Sequence, residues 1–125
     1  APELLFGQRK YSTGVDMWSC GAIMGEILTG KPLFQGQGEL DQIDKIVSVL
    51  GTPTDADWPG YKHTPNYGKI NLKQTPSQLR ARFMSAAIGA GTTLTEAGFD
   101  LLSRMLAWDP EQRISADEAL RHRWF

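Results

Sequence analysis

The stretch from Thr13 to Gly30 constrains the fold more than any other part of the sequence. It has the pattern of a helix that is apolar around most of its circumference, and such a helix is normally buried on nearly all sides. Thr13 and Asp16 have the spacing of a capping box, which predicts that the helix begins there. Gly30 is a typical helix end, and Pro32 follows it. We therefore expect this helix to be the central pillar of a helical domain.

Small residues lie inside this predicted helix. Gly21 and Gly25 have a spacing that is common in paired membrane helices, but nearby acidic residues and the short length argue against a membrane span. We interpret the two glycines as positions where another backbone approaches closely. Cys20 is the only cysteine, so it cannot form an internal disulfide, and the chain does not look secreted. We expect Cys20 to be a small buried core residue rather than a reactive thiol.

Hydrophobic spacing and capping residues predict four further helices and almost no strand. Two of them span about 39–50 and about 95–107, each with one apolar stripe. The last begins at Ser115, where Ser115 and Glu118 form a capping box. The stripe residues are Leu40, Ile43, Val47 and Leu50 in the first of these helices and Phe99, Leu102, Met105 and Leu106 in the second. In the last helix the residues expected to face the core are Ala119, Leu120 and Trp124.

Residues 52–94 differ from the rest because prolines and glycines recur there and the hydrophobic period is weak. We expect a mostly irregular surface excursion with one short helix from Thr75 to about Met84. Thr75 is its predicted cap and Pro76 its first helical residue. Trp58 is expected to pin the loop to the rest of the domain. Loops this long are usually functional or disordered, so part of this surface is also a candidate docking site for a partner.

Composition excludes several classes of function. The 13 basic residues are scattered and are balanced by 14 acidic ones, so no basic patch supports nucleic-acid binding. No apolar run approaches the ~20 residues needed to span a bilayer, so no membrane contact is expected. His63 and His122 have no Cys or His close to them in sequence, which argues against a metal site. Ala1 begins the chain without a signal-peptide pattern, and we expect that it is not the native start.

Four short motifs run through the chain. In order, they are Ala1-Pro2-Glu3, Tyr11–Gly21, Lys31–Gly36 and Asp109–Arg113. Together they resemble the C-terminal lobe of protein kinases, in which Ala-Pro-Glu closes the activation segment. The resemblance implies a mainly α fold, the helical C-terminal lobe of the protein-kinase fold, as an incomplete domain. On this interpretation residues 1–125 are the C-terminal part of a kinase domain, and 52–94 are its insert.

The branch of the family is indicated by other segments. Leu50–Pro53 and Trp58–Gly60 are similar to the cyclin-dependent kinases. Asp41–Ile46 and Leu94–Leu102 resemble the PITSLRE-type branch, the second in a form like plant and green-algal members, whereas the glycine- and alanine-rich stretch 86–91 departs from animal members. The resemblance implies a serine/threonine kinase inside the cell, in the nucleus or cytoplasm or both, with a role in the cell cycle.

The same resemblance implies structural roles for four residues. Glu3 is expected to pair with Arg113, which ties the end of the activation segment to the floor of the lobe. Asp16 is expected to accept hydrogen bonds from the backbone of the catalytic loop, in addition to its capping role. Trp18, in the same motif, is expected to be structural. The alternative for Glu3 and Arg113 is that they are two unrelated surface charges.

The motifs that carry kinase chemistry cannot be assigned in this sequence. There is no glycine-rich phosphate loop, strand lysine, catalytic-loop Asp or Asp-Phe-Gly, so no catalytic, cofactor-binding or metal-binding residue is assigned. For the intact kinase the resemblance implies ATP and magnesium as cofactors and protein substrates and a cyclin as partners; this chain is expected to bind neither cofactor. One alternative is a truncated kinase or pseudokinase that acts as a binding module. Another is an independent helical interaction domain, in which Glu3 and Asp16 lack their family roles.

Overall fold

The computed structural model describes residues 1–84 and 94–125 and forms them mostly from helices. The α-helices are α1 Pro2–Leu5, α2 Gly14–Thr29, α3 Glu39–Leu50, α4 Leu79–Met84, α5 Glu96–Met105 and α6 Ala116–Leu120. A 3₁₀ helix, Pro59–His63, lies between α3 and α4. These described residues contain no strand, and none of their helices is long and apolar enough to cross a membrane. The expected mainly α fold is confirmed, with α1 added to the five predicted helices.

The centre of the fold is the packing of α2 against α5. A Cβ atom placed on Gly21 would lie only 2.9 Å from Met105 Cβ and Leu106 Cδ2. The close approach expected at Gly21 is therefore present, although side chains rather than a second backbone fill the space. Protein interiors pack too tightly to absorb an extra methyl group without movement. A larger residue at this position would push the two helices apart.

One side of α2 stays at the surface, which corrects the expectation of burial on nearly all sides. Cys20 is exposed, and Ile23 and Ile27 expose 55% and 78% of their area. These residues recur every three or four positions and so share one face, whereas Met17 and Gly21 are buried on the α5 side. Cys20 is thus not a core residue, because α5 covers only the opposite face of the helix.

The predicted capping box at the start of α2 is wrong. Thr13 has helical dihedral angles (φ −61°, ψ −11°) and makes no capping hydrogen bond with its side chain. An N-cap side chain reaches the next turn from an extended backbone, which Thr13 does not have. Instead, the hydroxyl of Ser12 accepts a hydrogen bond from the backbone N–H of Gly14 at 3.2 Å. Asp16 therefore has no capping role.

Helix α3 packs its apolar side into the main core. Ile43, Ile46 and Val49 are each only 1% exposed. The helix ends at Gly51, whose φ of +81° is in the region that favours glycine. Leu40 is 65% exposed, so the buried stripe begins one turn later than the sequence pattern suggests.

Trp58 anchors the segment between α3 and α4, as predicted. Its side chain is only 2% exposed, in contact with the main apolar core. The rings of Phe6, Tyr61 and Trp108 lie 5.9, 5.3 and 6.2 Å from it, centroid to centroid. Tyr67 lies at the edge of this cluster and is 48% exposed. The loop therefore crosses the surface with two aromatic side chains, Trp58 and Tyr61, buried in the core.

The predicted helix start at Thr75 is wrong, because α4 begins at Leu79. The backbone N–H of Thr75 donates to the hydroxyl of Thr52, and the Thr75 carbonyl accepts from the N–H of Thr52. The N–H of Gln78 donates to the carbonyl of Val49. These bonds join the segment to the end of α3 and take the groups that a helix start would use. The part of the predicted insert at 85–93, with the stretch 86–91, lies outside the described residues.

The capping box predicted at Ser115 is confirmed. The Ser115 hydroxyl accepts from the N–H of Glu118, and the Glu118 carboxylate accepts from the N–H of Ser115. Ala119 is buried as expected, but Leu120 is 76% exposed and does not face the core. Trp124 is partly exposed, and its indole lies over Gly98 of α5. Successive helix positions point in different directions, so Leu120 turns away from the core when Ala119 faces Leu101 and Met105 of α5.

His122 ties the C-terminal segment to α5. Its Nε2 lies 2.7 Å from Asp100 Oδ2, and its Nδ1 accepts a hydrogen bond from the backbone N–H of Trp124. Since Nδ1 accepts, a neutral ring donates from Nε2 to the carboxylate. This hydrogen bond, with the positive charge of Arg104, lowers the pKa of the Asp100 carboxyl from its usual value, against the opposing effect of burial.

Candidate functional site

The side chain of Arg113 is the centre of the most highly connected polar site in the described part of the chain. Its Nη1 and Nη2 donate to the two carboxylate oxygens of Glu3, each at 2.7 Å. Nη1 also donates to the carbonyl of Gly14, Nη2 to that of Trp108, and Nε to that of Ala107. All five N–H donors of the guanidinium therefore have acceptors. We call this arrangement the Arg113 junction.

The backbone around Arg113 explains how it reaches this position. Asp109, which is buried, accepts the N–H of Glu111 with its side chain and that of Gln112 with its carbonyl. This turn folds the chain back after α5, and the N–H of Ile114 then donates to the carbonyl of Arg104. The turn directs the Arg113 side chain under the end of α5, where the carbonyls of Ala107 and Trp108 are available.

Glu3 reaches the junction because α1 presents it inward. Pro2 occupies the first position of the helix, where a missing N–H costs nothing. Glu3 lies in the first turn, and its carbonyl accepts the N–H of Gln8, which closes the segment behind it. The carboxylate is 110 positions from Arg113 in sequence, and its residue is only 1% exposed. The pair therefore joins the two ends of the chain inside the fold.

Trp18 forms the apolar wall of the junction. The guanidinium carbon of Arg113 lies 5.0 Å from the centre of a Trp18 ring, which is a cation–π distance. On its other side the indole stacks on Phe34 with centroids 5.4 Å apart and planes at 15°. Trp18 is 5% exposed. It excludes water from the ion pair and links the junction to the loop after α2.

The electrostatics of the junction depend on burial. The side chains of Arg113 and Glu3 are 0% and 1% exposed, so neither charge is solvated. Removing one partner of such a pair leaves the other charge buried without compensation, at a cost of ~3–5 kcal/mol. The fork geometry satisfies both oxygens at once, which lysine could not do. The junction can fix the relative position of its segments, but it presents no free acid, base or nucleophile.

Asp16 is the one sequence-predicted site residue that stands apart from the others. It is exposed on α2, and no donor among residues 1–84 and 94–125 makes a hydrogen bond to its carboxylate. The structure thus brings together Glu3, Arg113 and Trp18 and leaves Asp16 at the surface. Sequence reasoning missed the carbonyls of Gly14, Ala107 and Trp108, because a backbone acceptor has no signal in the residue types.

A family comparison accounts for this geometry. The family model for the protein kinase domain matches residues 1–125. The chain belongs to the protein kinase family. The kinase motif that opens the chain supplies Glu3, and the one near its end supplies Arg113. The buried ion pair therefore joins two elements that a kinase sequence places far apart.

Individual relatives indicate the branch within the kinases. The chain is 54% identical over 125 residues to cyclin-dependent kinase G-1 of Oryza sativa subsp. indica, covering 100% of this chain and 18% of the relative. It is 50% identical over 124 residues to cyclin-dependent kinase G1 of Arabidopsis thaliana, with coverage of 99% and 20%. Against cyclin-dependent kinase 11B of Homo sapiens the identity is 48% over 126 residues, with coverage of 100% and 15%. The resemblance to the PITSLRE-type cyclin-dependent kinases is confirmed.

The plant relatives are somewhat more similar to this kinase chain than the human one, in line with the plant-like form of the segment 94–102. The chain spans 15–20% of the length of these three relatives. It corresponds to a portion of a kinase domain.

Proposed function

We propose that this chain is the floor of the C-terminal lobe in a cyclin-dependent-type serine/threonine kinase, with residues 1–125 as the C-terminal part of the kinase domain and 52–94 as its insert. The complete kinase transfers the γ-phosphoryl group of ATP to Ser and Thr hydroxyls of protein substrates and acts with a cyclin inside the cell, in the nucleus or cytoplasm. The observation that carries the proposal is the buried pair of Glu3 and Arg113.

The role of that pair is positional. Glu3 belongs to the motif that closes a kinase activation segment, and the segment must be held in place for substrate to reach the catalytic residues. Arg113 holds Glu3 from beneath with two hydrogen bonds while three further bonds fix Arg113 itself. The exposed carboxylate of Asp16 is free to accept hydrogen bonds from the catalytic loop.

ATP and magnesium are the cofactors that kinase family membership implies for an intact enzyme. The residues of this chain do not fit them. The described residues contain no group of three or more His, Cys, Asp or Glu side chains that could hold a metal ion, and the sequence has no glycine-rich phosphate loop. We therefore assign no step of phosphoryl transfer to residues of this chain.

Phosphoryl transfer by the complete protein tests the proposal. The complete protein is expressed with a cyclin, and transfer from γ-labelled ATP to a Ser/Thr protein substrate is measured with and without magnesium. We expect magnesium-dependent transfer by the complete protein and none by the 125-residue chain. A complete, folded protein that binds cyclin but transfers no phosphate would establish the pseudokinase alternative instead.

We also propose that the surface of the insert is a docking site for a partner. Support comes from Tyr67, a large apolar side chain that stays 48% exposed beside a buried aromatic cluster. Deletion of 62–74 from the complete kinase, with a flexible linker, is the broad test, but it also removes the bond from the Asn66 N–H to the Phe6 carbonyl. Tyr67→Ser is the sharper variant, since it leaves the backbone intact. Unchanged recovery of partners by both variants, with the fold preserved, would mean that the insert is only structural.

A further inference from the structure

A cavity of about 430 Å³ opens between the loop after α2, helix α3 and helix α4. We call it the basic groove, because one cationic side chain from each of these elements lines it: Lys31, Lys45 and Arg82. No Asp or Glu of the described residues lines it. The rest of the wall includes the apolar side chains of Leu33, Val49 and Phe83. The groove shares no residue with the Arg113 junction. The proposed kinase chemistry gives the groove no role.

The three cations of the basic groove have no carboxylate partner inside the described residues. All ion pairs found in the described part of the chain involve other basic side chains, at 80, 104, 113, 121 and 122. Residues 85–93, which follow α4, contain no Asp or Glu at all, so they cannot supply one. Other exposed basic side chains, such as Lys10 and Lys69, also have no ion pair within the described residues, but in the groove three such side chains line one cavity.

Acidic residues on α3 do not neutralise the basic groove either. Asp41 lies one helical turn before Lys45, but its carboxylate accepts a hydrogen bond from the N–H of Gln37 and makes no ion pair. Asp44 is exposed and has no ion pair within the described residues. The positive charge of the groove is therefore uncompensated by contacts in this structure.

We propose that the basic groove binds an acidic segment of a partner or substrate protein, with carboxylates or phosphates on either side of an apolar residue. Charge complementarity selects an anionic ligand, because three cations face the cavity without a counter-charge. The apolar surface open to a leucine-sized side chain comes from Pro32, which is exposed, and Leu33, which is partly buried, whereas Val49 and Phe83 lie beneath the surface. The volume lies within the range of ordinary ligand sites.

A peptide fits the basic groove better than a small ion does. Lys31, Lys45 and Arg82 are all exposed and come from three different elements, so they are arranged around a rim. A small anion would need several donors converging on one point, whereas an acidic chain can meet separate charges in turn. Peptide binding at this surface does not require phosphoryl transfer, so it can fail while the kinase activity stands.

Fluorescence anisotropy on the complete kinase tests this site. The probe is a labelled peptide with glutamates on both sides of a leucine. The groove variant is Lys31→Glu/Lys45→Glu/Arg82→Glu, and the matched control is Arg9→Glu/Lys10→Glu/Arg123→Glu, which changes the charge equally at exposed positions outside both the groove and the insert. We expect the groove variant to weaken binding by about tenfold or more, the control to leave it within about twofold, and added salt to weaken the wild-type complex.

Several outcomes would overturn the basic-groove proposal. Equal weakening by both triple variants would assign the effect to net charge rather than to this site. Equal binding of a peptide with glutamine in place of glutamate would remove the role of charge. Displacement of the peptide by inorganic phosphate at micromolar concentration would identify a small-anion site instead. Groove-dependent binding to phosphatidylserine vesicles, with no binding of the peptide, would identify a lipid-binding surface. The neutral variant Lys31→Gln/Lys45→Gln/Arg82→Gln, with an unchanged melting curve, guards against loss of fold.

Discussion

Two arginine–glutamate pairs in this molecule have similar geometry and very different surroundings. Arg113 and Glu3 approach to 2.7 Å with side chains 0% and 1% exposed. Arg80 and Glu96 approach to 2.9 Å with side chains 61% and 66% exposed. Water and salt screen the second pair, whereas the first is enclosed by Trp18 and by backbone carbonyls. The distance between two charges therefore says little about their effect on stability, and burial decides it.

The Arg113 junction and the segment between α3 and α4 are also held to the rest of the fold by different interactions. At the Arg113 junction, polar groups close the contact and every guanidinium donor is used. In the segment between α3 and α4, buried aromatic side chains hold the chain to the core, with Trp58 2% and Tyr61 9% exposed. Arg80 and Glu96 join α4 to α5 only at the surface. Removal of single side chains can test this contrast.

Arg113→Ala is expected to have the largest effect. It leaves the Glu3 carboxylate buried without a partner, so the free energy of unfolding of the complete kinase domain should fall by ~3–5 kcal/mol. The measurement is the urea midpoint of the complete domain, because Glu3 lies near the end of this chain, where fraying is common. An unchanged midpoint would show that the junction does not contribute to stability.

Trp58→Ala is expected to cause the second-largest loss of stability. It removes a buried aromatic anchor without leaving an unpaired charge, so a loss of about 3 kcal/mol is expected. Trp58→Phe, which keeps an aromatic ring in the same place, is the matched control and should cost less. Urea unfolding of both variants compares the apolar anchor with the polar junction directly. A loss for Trp58→Ala no larger than for Trp58→Phe would contradict the anchor role.

Arg113→Lys should give an intermediate effect. Lysine retains the charge but has a single nitrogen, so it cannot serve both oxygens of Glu3 together with the carbonyls of Ala107 and Trp108. Loss of these charge-assisted bonds is expected to cost about 2 kcal/mol of unfolding free energy. If Arg113→Lys matched the wild type, charge alone would explain the junction and the fork geometry would be unnecessary.

Arg80→Ala should have a small effect, close to experimental error, since both partners are exposed. The comparison is sharpened by salt. Wild-type and Arg80→Ala proteins should converge in stability as ionic strength rises, whereas the loss caused by Arg113→Ala should persist. A salt-independent loss for Arg80→Ala would show instead that its contact with the Phe99 ring, at 4.7 Å, is the important one.

The smallest effect concerns pH. Because the hydrogen bond from His122 lowers the pKa of the Asp100 carboxyl from 3.8, this interaction stabilises the fold above that pH and is lost as pH falls through the lower value. The stability difference between wild type and Asp100→Asn should shrink as the pH falls below about 4. Thermal melts at each pH measure it. A difference that grew as the pH fell below about 4 would reverse the assigned direction of the Asp100 pKa shift.

Helix caps are predicted correctly from the sequence where the bonding partners are close in sequence and wrongly where they are distant. Ser115 caps α6 as predicted because its partner, Glu118, is three residues away and lies in the same turn. Thr75 looks like an equally good cap, but Thr52 and Val49 take up the backbone groups of that segment through longer-range bonds. The two sites have similar local patterns, so only the distant partner separates them.

The sequence by itself determined the kinase family, the helical class and most of the helices, because periodic spacing and kinase motifs are properties of neighbouring residues. It also indicated that Glu3 and Arg113 belong together, through the motifs that contain them. Only the tertiary structure decided which face of α2 is covered, and hence that Cys20 is exposed. It alone supplied the carbonyls that complete the bonding of Arg113 and the three elements that enclose the basic groove. These features depend on segments far apart in sequence that meet only when the chain folds.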